Sequence, residues 1–349
     1  MNKSAENIIV GISIGDLNGI GSEVILKTFE DARMLEFCTP VIFANVKIVS
    51  FLKKSFESTS SIHGIDRLDQ IVIGKINVFN LWKEGIDLNL GSNDDKVGEY
   101  AIKSFVAATK ALKEGVVDVL VTAPINKYNI QSEHFKFPGH TDYLAQELEG
   151  DALMLMVCDT LRVGLLTDHV PLNEVASQLT EELIVRKIET IKQSLIKDFS
   201  INKPKIAVLG LNPHCGDGGV IGSEDDVLLK PTLKKIFEKG TLVFGPFSAD
   251  SFFGSNQYEK YDAVIAAYHD QGLIPFKTLS FGRGVNYTAG LNKVRTSPDH
   301  GTAYDIAGKN LAEFTSFKEA VYLAIDSYKS RIQYEEVALN PLKTKEKQV

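Results

Sequence analysis

The chain has 349 residues, 44% hydrophobic and 24% charged, and 38 basic against 45 acidic side chains give a net charge of −7. This is the composition of a soluble globular protein with room for a large core and two lobes; the acidic balance argues against nucleic acid, and no apolar run approaches a bilayer span. Cys38, Cys158 and Cys215 form no disulfide framework, and the opening residues enter a strand-like run rather than a signal peptide, so a reducing, cytoplasmic setting is expected.

Ile8 to Ile14 reads as the first strand. GDLNGIGSE follows, with glycines at 15, 19 and 21, and leads into a helix from Ser22 to about Arg33 that Ser22 could cap. The turn is neither GxGxxG nor a phosphate loop; it either aims backbone N–H groups above a sheet or is a tight turn only. Pro40 to Asn45 reads as a second strand, followed by a helix through Phe56. Glu57 to Gly64 reads as a polar loop with His63 on its surface, and Gln70 to Asn80 as one or two strands. Lys96 to Glu114 has helical spacing, with Ile102, Phe105, Val106 and Leu112 as core positions. Val116 to Val121 reads as a buried strand ending in TAPINK, where Lys127 is either a site residue or an exposed lysine at a helix start. His134, in a charged loop, is given no role.

PGHTDYLAQEL places His140 and Thr141 just before a helix. Thr141 could simply cap it; alternatively both residues suit a phosphate or carboxylate at the helix start. Ala152 to Val157 and Leu161 to Thr167 read as paired strands joined by Cys158-Asp159-Thr160, and Pro171 to Phe199 as helical with a break near Thr180. Ile206 to Leu211 is another apolar run, Ser223 caps an acidic helix start, and Thr241 to Phe244 is strand-like, leading to Asp250. Thr296 to Ala303 sets Asp299 and His300 before a helix, with Thr302 or the aspartate as cap, and Ser316 to Tyr334 is an amphipathic final helix before a charged tail.

The stretch from Tyr261 to Arg295 organises the rest. Its apolar run, Ala263 to Tyr268, ends in His269, Asp270, Gln271 and Gly272, and Lys277, Asn286 and Arg295 follow within about thirty residues. Ligands of open α/β sheets sit beyond the carboxyl ends of strands, so two cations and an amide near a strand-end histidine point to a small anionic substrate. The pattern recurs: Leu161 to Thr167 runs into Asp168 and His169, and Ile206 to Leu211 into Asn212, Pro213 and His214. Three such histidines suit one open divalent-metal site, although no local metal motif is present and a packing role for each is the alternative. From Gly216 the loop CGDGGVIGSED nearly matches GxGxxG but has Ile221 where a glycine is needed. A dinucleotide could lie against this loop; a plain surface loop is the other reading.

GDLNGIGSE, TAPINK, FPGHTDYLA, TDHVPL, LNPHCGDGGVIGSED, GPFSADSFF, YDAVIAAYHDQGLIPFK, GVNYTAGL and RTSPDHGTA occur in this order. With them the chain resembles the 4-hydroxythreonine-4-phosphate dehydrogenase family of vitamin B6 biosynthesis, over nearly its whole length. The resemblance implies a two-lobed α/β fold like that of isocitrate and isopropylmalate dehydrogenases, with no classical Rossmann motif, the chain crossing between lobes more than once. It implies a homodimer with the active site at the subunit interface, in which His169 and His214 bind the metal from one subunit and His269 from the other. It makes His140, Thr141, Lys277, Asn286 and Arg295 substrate residues, and puts Asn212, Gly216 and Glu224 in the cofactor site. The implied chemistry is oxidation of 4-phosphooxy-L-threonine at C3 by NAD or NADP with one divalent ion (Zn, Co, Mg or Mn), followed by loss of CO2 to give 3-amino-2-oxopropyl phosphate. Asp270 and Lys127 are the candidate bases. Leu17-Asn18 and Ser22 stand where the family commonly has Pro-Ala and Pro, and Cys215-Gly216-Asp217 where it has Ala-Gly-Glu. These departures bear on substrate preference and the cofactor loop. A paralogue acting on threonate or erythronate 4-phosphate or on a cis-dihydrodiol, a three-histidine metallohydrolase, and a non-catalytic sensor are the other readings.

Overall fold

The computed structural model describes residues 7–133 and 135–339. His134 and the charged tail lie outside the described residues. In chain order come β1 (Ile8–Ser13), α1 (Gly21–Thr28), α2 (Met34–Phe37), β2 (Cys38–Ala44), α3 (Val46–Ser55), β3 (Ile62–Ile65), β4 (Ile76–Asn80), α4 (Asp95–Lys113) and β5 (Val119–Thr122). The second half holds α5 (His140–Glu147), β6 (Gly150–Cys158), β7 (Leu161–Leu165), α6 (Val175–Gln178), α7 (Glu181–Lys197), β8 (Ile206–Leu209), α8 (Lys230–Glu238), β9 (Val243–Phe247), α9 (Ala249–Gly254), β10 (Ala263–Ala266) and α10 (His269–Ser280). The hairpin β11 (Val285–Leu291) and β12 (Val294–Pro298) and the long helix α11 (Thr315–Leu339) complete it.

Among the described residues twelve strands make one sheet, ordered β3-β4-β2-β1-β5-β12-β11-β6-β7-β10-β8-β9. β1, β5 and β12 are mutually parallel, as are β7, β10 and β8. The antiparallel pair β11 and β6 stands between these groups and reverses the strand direction. Strands such as CTPVIFA, VLVT, IAVL and AVIA are buried at every residue, as parallel strands covered by helices must be. Gly272 lets α10 lie directly on this sheet: a Cβ there would come 2.8 Å from Val163, 2.9 Å from Ala266 and 3.0 Å from Leu165.

One expectation holds in detail: Thr180 accepts from the Leu183 N–H at 3.1 Å, which puts the break before α7 where the sequence put it. Asn45 and Asp94, which the sequence did not single out as caps, cap α3 and α4. Others are corrected. Ser22 lies inside α1, and the preceding Ile20 holds the cap position without a side-chain bond. Gly139, with Thr141 already inside the helix, precedes α5. His63 belongs to edge strand β3 and Val106 is exposed, whereas Gln70 to Asn80, read as one or two strands, holds one, β4. Ser223 uses its carbonyl, bonded to the Asp226 and Val227 N–H groups, to start a helix that passes through a π-bulge at Asp225–Leu229. No helix follows His300; the chain turns through residues 304–310 until α11 begins. The glycine-rich turn after β1 is a packing device: Cβ atoms at Gly15 and Gly19 would strike the Pro124 and Thr302 carbonyls at 2.4 and 2.8 Å.

Candidate active site

The carboxyl ends of β5 and β12 from one half of the sheet, and of β7 from the other, converge on a cleft of about 620 Å³. Its walls include Lys127, His140, Thr141, Asp168, His169, Asn286, Arg295 and His300. Two oppositely directed half-sheets thus present their strand ends to one space, the position where open α/β sheets bind ligands.

Arg295 dominates one end. It is 1% exposed, and its guanidinium donates to the Thr288 hydroxyl at 3.1 Å and to the Thr122 hydroxyl, while its Nε has no partner. Among the described residues no carboxylate pairs with it. Burial pulls its pKa down to about 9. A buried cation without a counter-charge is costly by several kcal/mol, and an anion in the cleft would offset that. His140 opens α5, with its ring edge-on to Phe105 at 4.6 Å and its Nε2 unpaired. Burial, then the charges of Arg295 and Lys127, hold its pKa well below the usual histidine range, so the ring is neutral. The free N–H groups of the first turn of α5, with Thr141 beside them, add the positive end of a helix dipole. Asn286 lies opposite Ser297 in the β11–β12 ladder, and its Oδ1 is buried and unpaired. Of the thirteen buried side-chain atoms without a partner among the described residues, five belong to cleft residues: His140, Asp168, Asn286, Arg295 and His300. The unmet hydrogen bonds are concentrated where a polar ligand would sit.

The other end carries imidazoles. β7, β10 and β8 are adjacent parallel strands, and His169, His269 and His214 follow their respective ends. The His169 and His269 ring centroids are 5.6 Å apart. Two imidazoles sharing one tetrahedral ion would stand about 5 Å apart by this measure, given a metal–nitrogen distance of about 2.1 Å. His269 Nδ1 is 2.8 Å from Asp270 Oδ1; as donor it leaves Nε2 free to bind an ion. Burial lowers the His169 pKa, helped by the Lys127 charge, which favours the neutral, ligating form. His214 stands in a run from 214 to 219 in which every φ is positive, including the non-glycine residues His214, Cys215 and Asp217. Such backbone costs about 1–2 kcal/mol for each non-glycine residue and gathers at functional sites. Among the described residues no three His, Cys, Asp or Glu side chains are gathered into an ion-holding group, so His214 is not brought onto the pair. His269 stands beside His169 of its own chain, because β7 and β10 are paired up to Leu165 and Ala266.

Lys277 does not line this cleft. It is paired with Asp299 at 3.1 Å and faces a neighbouring 370 Å³ pocket, which shares His300 with the cleft. Asp270 is exposed and engaged with His269, a position that suits orienting that ring better than taking a substrate proton. Asn212, Gly216 and Glu224 do come together in one loop. Asn212 Nδ2 donates to Glu224 at 2.8 Å, and Gly216, at φ +80°, has no room for a Cβ against the Gly222 carbonyl at 2.5 Å. The buried Asp225 carboxylate accepts the Leu211 and Asn212 N–H groups at 2.8 and 3.0 Å and anchors that loop. The sequence reading missed Asp225, Thr122 and Thr288. A polar residue at the end of an apolar run was the available signal for Thr122; β11 itself was not read as a strand, so Thr288 gave none.

Residues 36–324 match the family model described as "Pyridoxal phosphate biosynthetic protein PdxA". The chain belongs to the PdxA family. A 4-hydroxythreonine-4-phosphate dehydrogenase of Bacteroides thetaiotaomicron is 44% identical over 338 residues, 96% of this chain and 93% of the relative. Another from a Sulfurihydrogenibium species is 41% identical over 320 residues, 90% and 97% of the two chains. The crystal structure of a 4-hydroxythreonine-4-phosphate dehydrogenase from Klebsiella pneumoniae superposes with a TM-score of 0.79 at 31% identity, covering 94% of this chain and 99% of that one. The α/β fold with its large sheet is therefore that of PdxA structures. No helix among the described residues is long and apolar enough to cross a membrane.

Proposed function

We propose that the protein oxidises 4-phosphooxy-L-threonine at its C3 alcohol with NAD or NADP and a divalent metal ion, the product losing CO2 to give 3-amino-2-oxopropyl phosphate. The observation that carries this reading is the buried, carboxylate-free Arg295, with unpaired His140 and Asn286 atoms, in one cleft with the strand-end His169. Relatives at 44% and 41% identity bear the name of that dehydrogenase. When bound, a divalent ion supplies positive charge at the reacting oxygen, and the nicotinamide accepts the hydride.

The chain's own residues take the remaining roles. His169 and His269 would hold the ion, with Asp270 fixing the His269 tautomer, and His214, held off that pair in the loop after β8, would have to swing in to serve as third donor. Arg295, His140, Thr141 and the start of α5 hold phosphate or carboxylate. Asn286 Oδ1 accepts a hydrogen bond from the substrate hydroxyl or ammonium. Lys127, on the cleft wall after β5, takes the hydroxyl proton after giving up its own to solvent, since the charged ammonium has no lone pair to accept with. Asn212, Gly216 and Glu224 shape the loop against which the dinucleotide lies. The two half-sheets are the two lobes, two copies form a homodimer, and Lys277, facing away from its own cleft, serves substrate across that interface.

The test follows nicotinamide reduction with 4-phosphooxy-L-threonine, D-threonate 4-phosphate, erythronate 4-phosphate and a cis-dihydrodiol, with each dinucleotide, with and without chelator. Reduction with the first substrate, lost on chelation and restored by one of Zn, Co, Mg or Mn, is expected. Turnover of another alcohol in its place, or phosphate release without nicotinamide, overturns the reading.

A further inference from the structure

Beyond the last ladder bonds of β7, β10 and β8, backbone groups need other partners. The Thr167 N–H and hydroxyl both bond the Ala267 carbonyl, at 3.2 and 2.8 Å. The Ala267 N–H in turn donates to Gln271 Oε1 at 2.7 Å. At its other end Gln271 Nε2 donates to the Gly210 carbonyl at 2.7 Å. One hydrogen-bonded chain therefore laces three strand ends, crossing them two residues before His169, two before His269 and four before His214. Gln271 sits in the first turn of α10, two residues after His269, so its side chain reaches back over the strand ends while Gly272 seats the helix on the sheet. Only an amide serves here, because one end must accept and the other must donate. A carboxylate of the same shape would set an acceptor against the Gly210 carbonyl, and an apolar chain would leave two buried backbone groups unmet.

We propose that Gln271 is a positioning residue that sets where the His169 and His269 imidazoles stand at their strand ends, touching neither ion nor substrate. This rests on the metal-site reading above. The first consequence is that its amide chemistry, rather than its bulk, controls metal affinity and ligand geometry. The experiment is a cobalt titration of the full chain against a chromophoric chelator, recording the visible d–d spectrum, on wild type, Gln271→Glu, Gln271→Met and Thr167→Val. Wild type is expected to bind one Co²⁺ per chain, and His269→Ala to abolish it. Failure of those controls removes the metal-site reading itself. With them satisfied, Gln271→Glu and Gln271→Met are expected to lose roughly 10- to 100-fold in Co²⁺ affinity and to shift the spectrum. Thr167→Val, which cuts a different link of the same chain, is expected to lose less and keeps the test open if both Gln271 variants fail to fold. Folded variants with wild-type affinity and spectrum, even if less stable, would reduce Gln271 to a structural residue and overturn the proposal.

Discussion

Arg295 is held in the sheet by two threonine hydroxyls and, among the described residues, by no ion pair, so its cost to the fold and its use to a ligand are the same fact. Arg295→Met is expected to keep or raise the melting temperature, since it removes an uncompensated buried charge, while costing about 2–5 kcal/mol in substrate binding. Paired thermal melts and kcat/KM measurements check this; a variant that melts much lower but binds substrate normally would contradict it. His140 gives a pH prediction. Its folded pKa is depressed, chiefly by burial, whereas the unfolded side chain titrates near about 6.5. Below that pH the unfolded state binds the proton and the folded state resists it, so stability declines as pH falls through about 6.5. Melts between pH 7.5 and 5.5 should show the decline, and His140→Gln should flatten it. Inorganic phosphate, by supplying negative charge beside the ring, should blunt it in wild type.

At the scale of elements, α10 carries two duties in four residues. His269 and Gln271 face the strand ends, and Gly272 presses the helix onto Val163, Leu165 and Ala266. Gly272→Ala is expected to lift the helix and to destabilise the fold by about 1–3 kcal/mol, read from the denaturant midpoint, with a parallel loss of metal affinity. Much of this was legible. The abrupt change from AVIAAY to HDQG marks a buried strand meeting a polar edge, and the same change marks His169 and His214. The hairpin that presents Asn286 and Arg295 was hidden, because GVNYTAGL mixes glycine and polar residues that face the cleft or the central ladder rather than alternating core and solvent. His300 was misread for a related reason. Asp299, His300 and Thr302 look like a cap, but after β12 the Asp299 N–H goes to the Ser316 hydroxyl and the following helix starts only at Thr315.

At the scale of the molecule, Asp16 ties three distant segments together. Its carboxylate accepts from Asn129 at 2.8 Å, from the Asn18 N–H at 2.9 Å and from the Tyr304 hydroxyl at 2.7 Å, and Tyr304 accepts from Asn126 at 3.1 Å. The segments that follow β1, β5 and β12 are thereby locked beside the cleft. Tyr304→Phe is expected to cost about 1–3 kcal/mol by leaving that buried carboxylate short of a donor, measured by equilibrium unfolding. No spacing in the sequence could reveal this network, because its members lie up to 288 positions apart.

The order of strands also sets an order of assembly. β12 pairs with β5, and β11 with β6, so the two halves are joined through the last hairpin of the chain. Until the segment ending at Pro298 has left the ribosome, no complete ladder can run from one half to the other, and Arg295 and Asn286 cannot yet take their places in the cleft. The growing chain must hold open a two-strand gap at its centre, and the anion-binding wall of the cleft is among the last parts made. A nascent protein interrupted before Val285 would thus be left as two separate half-sheets, each with a raw central edge and unable to grip phosphate.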